Sequence, residues 1–133
     1  MTEQEEPTPR LYKILVVEDD IALASTYKKF LLGHGYDVRL ETRGDLVLLA
    51  VEDFVPDLII LDIILPGLDG FSIIESLQSL ESYKKIPILV VSNLGDQDKI
   101  DMAVKMGVKD YMFKHDLNLE YLNEKVKWLL NIQ

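Results

Sequence analysis

The sequence predicts a doubly wound α/β domain, in which a five-stranded parallel sheet carries helices on both faces. Three observations predict it. Short runs rich in Val, Ile and Leu alternate five times with stretches whose apolar residues recur at helical spacing. Several of those runs are apolar throughout, as strands buried on both faces of a parallel sheet must be. With 133 residues, 48% of them hydrophobic, the chain has the size of one domain and enough apolar side chains for its core. Right-handed crossovers between parallel strands then place the helices on either side.

Residues 1–10 (MTEQEEPTPR) hold three glutamates and two prolines and almost nothing apolar, so a flexible acidic tail is expected there, with the domain over 11–133. The first strand is Lys13–Val17 (KILVV). Leu23, Tyr27, Phe30 and Leu31 form one face of a helix ending at 33–35, where two glycines stand. Residues 36–40 make a second strand near an edge, and Leu46, Leu49 and Ala50 mark a short helix that stops before Pro56. The third strand is Leu58–Leu61, followed by a helix with Phe71, Ile74 and Leu77 inward. The fourth strand covers 88–91, and its helix presents Ile100, Ala103 and Val104 before Gly107. The last pair is a strand over 109–113 and a helix that is capped by Asn118 and buries Leu119, Leu122, Val126 and Leu129.

Composition excludes several functions. A formal net charge of -9 disfavours direct binding to nucleic acid or an anionic membrane, which both call for clustered Lys and Arg. The absence of cysteine excludes disulfides and thiolate metal sites. No apolar stretch is long enough to span a bilayer, and the acidic start lacks the regions of a signal peptide, so a cytoplasmic location is expected.

In a doubly wound sheet, ligands bind beyond the carboxyl ends of the strands. There the sequence turns polar: Glu18, Asp19 and Asp20 follow the first strand, Asp62 the third, Ser92 and Asn93 the fourth, and Lys114 the fifth. One acid at a strand end is more often a turn former or helix cap, and only the combination departs from that. Glu18, Asp19 and Asp62 in one crevice repel each other unless a cation neutralises them. All-oxygen ligands suit Mg²⁺, and no Cys or nearby His favours zinc.

The segments KILVVEDD, PDLIILDIILPGLDG, IPILVVSN and GVKDYMFK occur in the order and spacing of response-regulator receiver domains, which the chain resembles from Leu11 onward. The resemblance implies a flavodoxin-like (βα)5 fold with strand order 2-1-3-4-5, and a signalling domain of two-component systems that is not an enzyme in the ordinary sense. It implies that Asp62 is the phosphoryl acceptor and a Mg²⁺ ligand, with Asp19 a direct ligand, Glu18 acting through water, and the carbonyl of Ile64 completing the protein's metal shell. It also implies that Lys114 pairs with the phosphoryl group, that Ser92 is the switch hydroxyl, and that Tyr111 is the aromatic residue whose rotamer follows the switch. The partners it implies are a sensor histidine kinase or histidine phosphotransfer protein, and a downstream protein docking on the fourth helix, fifth strand and fifth helix.

Two positions depart from that family's pattern, and two apolar residues flank the acceptor. His115 replaces the usual proline after the lysine, whose cis bond helps to aim it; Asn93 is larger than the usual small residue; and Ile64 and Leu94 flank Asp62 with apolar bulk that orients no water. His115 is therefore either a pH-sensing or partner contact or a plain exposed loop residue, and Asn93 is expected to narrow access to Asp62. Slow self-dephosphorylation is the expectation from Ile64 and Leu94. Tyr121, Trp128 and Ile132 form a second stripe on the last helix, which either anchors a partner or second copy or merely covers the core edge.

Other readings are weaker. A flavin module needs a phosphate cradle where Glu18, Asp19 and Asp20 would repel the ligand. A Mg²⁺-dependent aspartate-nucleophile phosphatase wants a second Asp at the position of Ile64. A phosphorylation-independent adaptor is disfavoured by Asp62, Asp19, Ser92 and Lys114 and kept open by His115. The domain is expected to end with its fifth helix, so that output passes through protein contact.

Overall fold

The computed structural model describes residues 11–93 and 95–132, and the tail expected over 1–10 lies outside the described residues. The elements are β1 (Lys13–Val17), α1 (Ile21–Gly33), β2 (Asp37–Glu41), α2 (Val47–Phe54), β3 (Leu58–Leu61), α3 (Gly70–Ser79), β4 (Ile88–Ser92), α4 (Gln97–Lys105), β5 (Asp110–Phe113) and α5 (Leu119–Leu129). Single 3₁₀ turns cover Gly44–Leu46 and Lys114–Asp116. All four pairings are parallel, in the order β2-β1-β3-β4-β5. None of the helices in the described residues is long and apolar enough to cross a membrane.

Alternation along the strands divides the core in two. Leu15, Val17, Ile59, Leu61, Ile88 and Val90 pack on α2, α3 and α4 through Val51, Ile74 and Ala103. Ile14, Val16, Leu58, Ile60, Leu89 and Val91 pack on α1 and α5 through Tyr27, Leu31, Leu122 and Val126. Fully burying such a side chain is worth about 1.5–3 kcal/mol, so the central strands fix the sheet and their ends are placed by it.

Caps set where the helices begin and end. Asp20 accepts from the Leu23 N–H and starts α1. Gly35, at φ +89°, ends it: the Gly35 N–H reaches the Leu32 carbonyl and the Tyr36 N–H that of Leu31, the paired bonds of a Schellman motif. Asn118 caps α5 through the Tyr121 N–H, at the position sequence assigns it.

Several boundaries and faces differ from the sequence expectations. β2 and β5 each start one residue later, and β4 extends through Ser92. The helix after β2 buries Val47, Ala50 and Val51, whereas Leu49 is 63% exposed and Leu46 lies in the preceding 3₁₀ turn. The segment is apolar nearly all round, so its pattern does not fix the inward phase. On α4, Ala103 is buried with Met106 against the same cluster while Val104 is 53% exposed, because that helix presents only a narrow face to the sheet. Ile132 lies beyond α5 and packs on the α1/α5 core, so it does not share a stripe with Tyr121 and Trp128. Trp128 is 66% exposed, with the Lys125 ammonium 5.7 Å from its ring centroid.

Candidate functional site

The sheet itself brings the acids together. β1 and β3 are neighbours, and their ladder continues one step past Leu61, where the Asp62 N–H donates to the Val17 carbonyl at 3.0 Å. Asp62 thereby stands beside Glu18 and Asp19. Beyond it the chain turns tightly: the Ile64 N–H donates to Asp62 Oδ1 at 3.1 Å, and the Gly70 N–H donates to the Ile63 carbonyl at 2.9 Å. A Cβ on Gly70 would come within 2.5 Å of Ile63 Cα, so this close return of the chain requires glycine.

Carboxylate oxygens of Glu18, Asp19 and Asp62 lie within 4.8 Å of one another. Glu18 and Asp62 are buried, at 2% and 4% exposure, and Asp19 opens to solvent. Lys114, arriving from the end of β5, crosses to both buried acids, its Nζ 2.5 Å from Asp62 Oδ2 and 2.7 Å from Glu18 Oε1. Glu18 also accepts from the Asp20 N–H at 3.1 Å. Asp20 itself is the α1 cap, so the fourth acid of the region has a structural role.

One ammonium meets two of the three carboxylates, and burial makes the shortage of positive charge felt. Burial pushes the Glu18 carboxyl above its ordinary 4.5, and the bonds from Lys114 and the Asp20 N–H offset this only in part. Burial pulls the Lys114 ammonium down, but its bonds to Asp62 and Glu18 outweigh that and raise it above 10.5. The uncompensated charge is what a divalent cation remedies. Mg²⁺ holds oxygen ligands at about 2.0–2.1 Å, so three carboxylates this close with one open to water fit such an ion.

Ser92, the last residue of β4, is fully buried and pairs in register with Phe113. Its side chain is hydrogen-bonded to Tyr111, which is half-buried against the α2/α3/α4 core with its ring 5.6 Å from that of Phe113. Burial, offset in part by the Ser92 bond, leaves the Tyr111 phenol above 10.0, and the Asp62 charge contributes to that rise. The acid cluster is thus in electrostatic reach of the aromatic residue two positions before Phe113.

The flanking residues divide. The Ile64 side chain is 56% exposed at the rim. Leu94 lies outside the described residues. Among the described residues no peptide bond is cis, and Lys114–Asp116 forms a 3₁₀ turn instead. In that turn the His115 N–H donates to Asn93 Oδ1 at 3.2 Å, and His115 Nδ1 lies 3.3 Å from the same oxygen. The Asn93 amide oxygen is therefore turned toward the β5–α5 loop. Sequence reasoning missed this contact, whose only signal was that two departures from one pattern fall after adjacent strands. Tyr27, on the inward face of α1 where the sequence places it, has a buried hydroxyl with no partner among the described residues; burial first and the charge of Glu18 second push it up to about 12.

Comparison with known proteins decides the family. The description "response regulator receiver domain" matches residues 14–127. The chain belongs to that family. This receiver domain is 33% identical over 120 residues to YvcP of Bacillus subtilis, an uncharacterized transcriptional regulatory protein, covering 90% of this chain and 49% of that one. It is 33% identical over 102 residues to the DNA-binding response regulator MtrA of Mycobacterium tuberculosis, covering 77% and 43%. It spans about half the length or less of these curated relatives. Among solved structures, the BeF3-activated N-terminal receiver domain of Klebsiella pneumoniae RstA matches with a TM-score of 0.82 at 30% identity, covering 89% of this chain and 97% of that one. A CheY-like receiver domain protein from Methanospirillum hungatei matches with a TM-score of 0.85 at 26% identity, covering 92% and 95%. The strand order 2-1-3-4-5 and the helices on both faces are those expected from the sequence.

Proposed function

We propose that this receiver domain is a phosphorylation switch that takes a phosphoryl group from a sensor histidine kinase or histidine phosphotransfer protein onto Asp62. The observation that best supports this reading is the Lys114 ammonium bridging Asp62 and Glu18 in a cluster with Asp19. A carboxylate oxygen of Asp62 attacks phosphorus as the bond to the donor's leaving group breaks, and that group departs with the electron pair. Asp19, Asp62, the Ile64 carbonyl and, through water, Glu18 are the groups that would hold Mg²⁺. Bound there, the ion supplies charge neutralisation for the phosphoryl oxygens. Lys114 supplies the same from the other side, a role supported by its short bond to Asp62, which needs no rearrangement of the backbone.

The product adds a charge of about -1.5 to -2 and new acceptor oxygens at the tip of β3. Those oxygens compete with Tyr111 for the Ser92 hydroxyl, and a shift of Ser92 releases Tyr111 toward α4, β5 and α5. That surface is the proposed output face, for a downstream protein or a second copy of the chain. Its exposed Tyr121 and Trp128 are consistent with a docking role. The charge of -9 argues against this domain touching DNA itself, whatever the DNA-binding relatives do with the rest of their length. A cytoplasmic setting follows from the kinase as donor.

The test is incubation with acetyl phosphate and Mg²⁺, followed by intact mass. A single phosphoryl adduct on the wild type that is lost in Asp62→Asn supports the switch. An unmodified wild type rejects it in favour of a docking adaptor.

A further inference from the structure

The two loops that deliver Ser92 and Lys114 to the site are tied to each other one residue beyond each of them. Asn93 directly follows Ser92, and His115 directly follows Lys114. The His115 N–H donates to Asn93 Oδ1 at 3.2 Å, across 22 residues of sequence. An amide oxygen only accepts, so the second contact, 3.3 Å to His115 Nδ1, selects the ring form that carries its proton on that nitrogen. A proline after Lys114 would have no N–H to give. The two positions at which this chain departs from the pattern it resembles are therefore partners in one contact.

The turn they stabilise is otherwise held by the packing of Leu117 on the α1/α5 core and by the His115 ring, 5.8 Å from that of Phe113. Lys114–Asp116 is a single 3₁₀ turn without a side-chain cap, closed by the Leu117 N–H on the Lys114 carbonyl at 3.1 Å. His115 and Asp116 are both exposed. Yet the residue that opens this turn must hold its ammonium between two buried carboxylates.

We propose that Asn93 is a positioning residue for phosphoryl transfer, acting through the His115 backbone to fix the turn that aims Lys114 at Asp62. Among the described residues the side-chain hydrogen bonds of Asn93 go to His115, not to Asp62 or the other acids. Its oxygen replaces, by a hydrogen bond between loops, the backbone constraint that the absent proline ring would give. The proposal rests on the phosphorylation reading for its kinetic consequence, but the contact itself is measurable without it.

The experiment compares wild type, Asn93→Ala, Asn93→Asp, His115→Pro and the variant that combines Asn93→Ala with His115→Pro. Each is phosphorylated with acetyl phosphate under saturating Mg²⁺, and the His115 amide is followed by hydrogen exchange in the variants that retain it. Asn93→Ala should slow phosphorylation about five-fold, the scale of one lost neutral hydrogen bond. Its Mg²⁺ affinity should stay unchanged, a split that a general loosening of the site would not give. The same substitution in the His115→Pro background should have no further effect, because the donor is gone. Asn93→Asp keeps the acceptor and should keep the His115 amide as protected as in the wild type, while Asn93→Ala exposes it. An unchanged rate in Asn93→Ala, or an equal slowing with and without His115→Pro, overturns the proposal. If the wild type takes no phosphoryl group at all, the switch reading fails, and the exchange rate of the His115 amide still decides the contact: equal protection in wild type and Asn93→Ala ends it.

Discussion

Lys114 and Asp62, 52 residues apart in sequence, meet through a 2.5 Å contact between ammonium and carboxylate that the sheet leaves mostly hidden from water. Burial disfavours both charges, so each depends on the other, and Lys114 also draws on Glu18, which repels Asp62. Because bonds to Asp62 and Glu18 outweigh burial and raise Lys114 above 10.5, its contribution to stability is complete below that pH and is lost as pH rises through the higher folded value. Tyr27 adds the same sign from 10.0 upward, since its folded value is pushed up to about 12. Stability should therefore fall from about pH 10 onward. Urea unfolding of the wild type and Lys114→Met between neutral pH and pH 11.5 checks this. A fall as steep as the wild type's in both Lys114→Met and Tyr27→Phe would show that neither group is responsible.

The deficit of positive charge predicts that stability should depend on divalent cations. An ion that binds the folded site alone stabilises it by about 1.4 kcal/mol at ten times its dissociation constant. Thermal unfolding with and without Mg²⁺ should shift the wild-type midpoint upward. Asp19→Asn removes the carboxylate most open to an ion and should abolish most of the shift. Equal shifts in both proteins would place the ion elsewhere.

Tyr27 hides a hydroxyl at 2% exposure that has no hydrogen-bond partner among the described residues. Leaving such a group unsatisfied costs about 1–3 kcal/mol, and deleting it with its ring kept in place removes that cost. Tyr27→Phe should raise the urea midpoint with an unchanged slope. A clear drop would mean that the hydroxyl has found a partner.

The fold was largely legible in the sequence, for a physical reason. Strands buried on both faces must be apolar at every position, and Leu58–Leu61 and the run through Val91 are short and rich in branched residues, as strands rather than buried helices are. The clustering of the candidate residues was legible because Glu18, Asp19, Asp62, Ser92 and Lys114 stand at the carboxyl ends of strands, and the sheet order alone joins Glu18 to Asp62. What could not be read was phase and contact between loops. Val47, Leu48, Leu49, Ala50 and Val51 are all apolar, so only packing decides that Leu49 faces water. The bond from His115 to Asn93 involves a backbone N–H and an amide in two irregular segments, where no periodicity records which side chain meets which chain.

Val55 ends α2 at φ 50° and ψ 66°, in the left-handed region, where a branched side chain is strained. It is 58% exposed and has little packing to lose. The left-handed penalty is roughly 1–2 kcal/mol for an L-residue, and glycine avoids it at a smaller cost in chain entropy. Val55→Gly should stabilise the domain by about 0.5–1 kcal/mol in urea unfolding. A loss of stability would show that the Val55 side chain contributes packing that its exposure conceals.

Ile64 lies two residues past the proposed acceptor, its side chain turned largely to solvent and its N–H committed to Asp62 Oδ1. Hydrolysis of an aspartyl phosphate needs a water held in line with the bond to Asp62, and a hydrocarbon side chain offers that water neither donor nor acceptor. The phosphorylated domain should therefore lose its phosphoryl group slowly. Ile64→Asn puts an amide at the same rim position and should accelerate the loss by roughly tenfold, the gain from orienting one reactant. The backbone bond from residue 64 to Asp62 survives the change, so phosphorylation itself should be little altered. Decay after removal of acetyl phosphate, followed by intact mass in both proteins, gives the two rates. Rapid loss from the wild type, or equal rates in the two, would mean that water is oriented by some other group and that Ile64 does not set the lifetime of the signal.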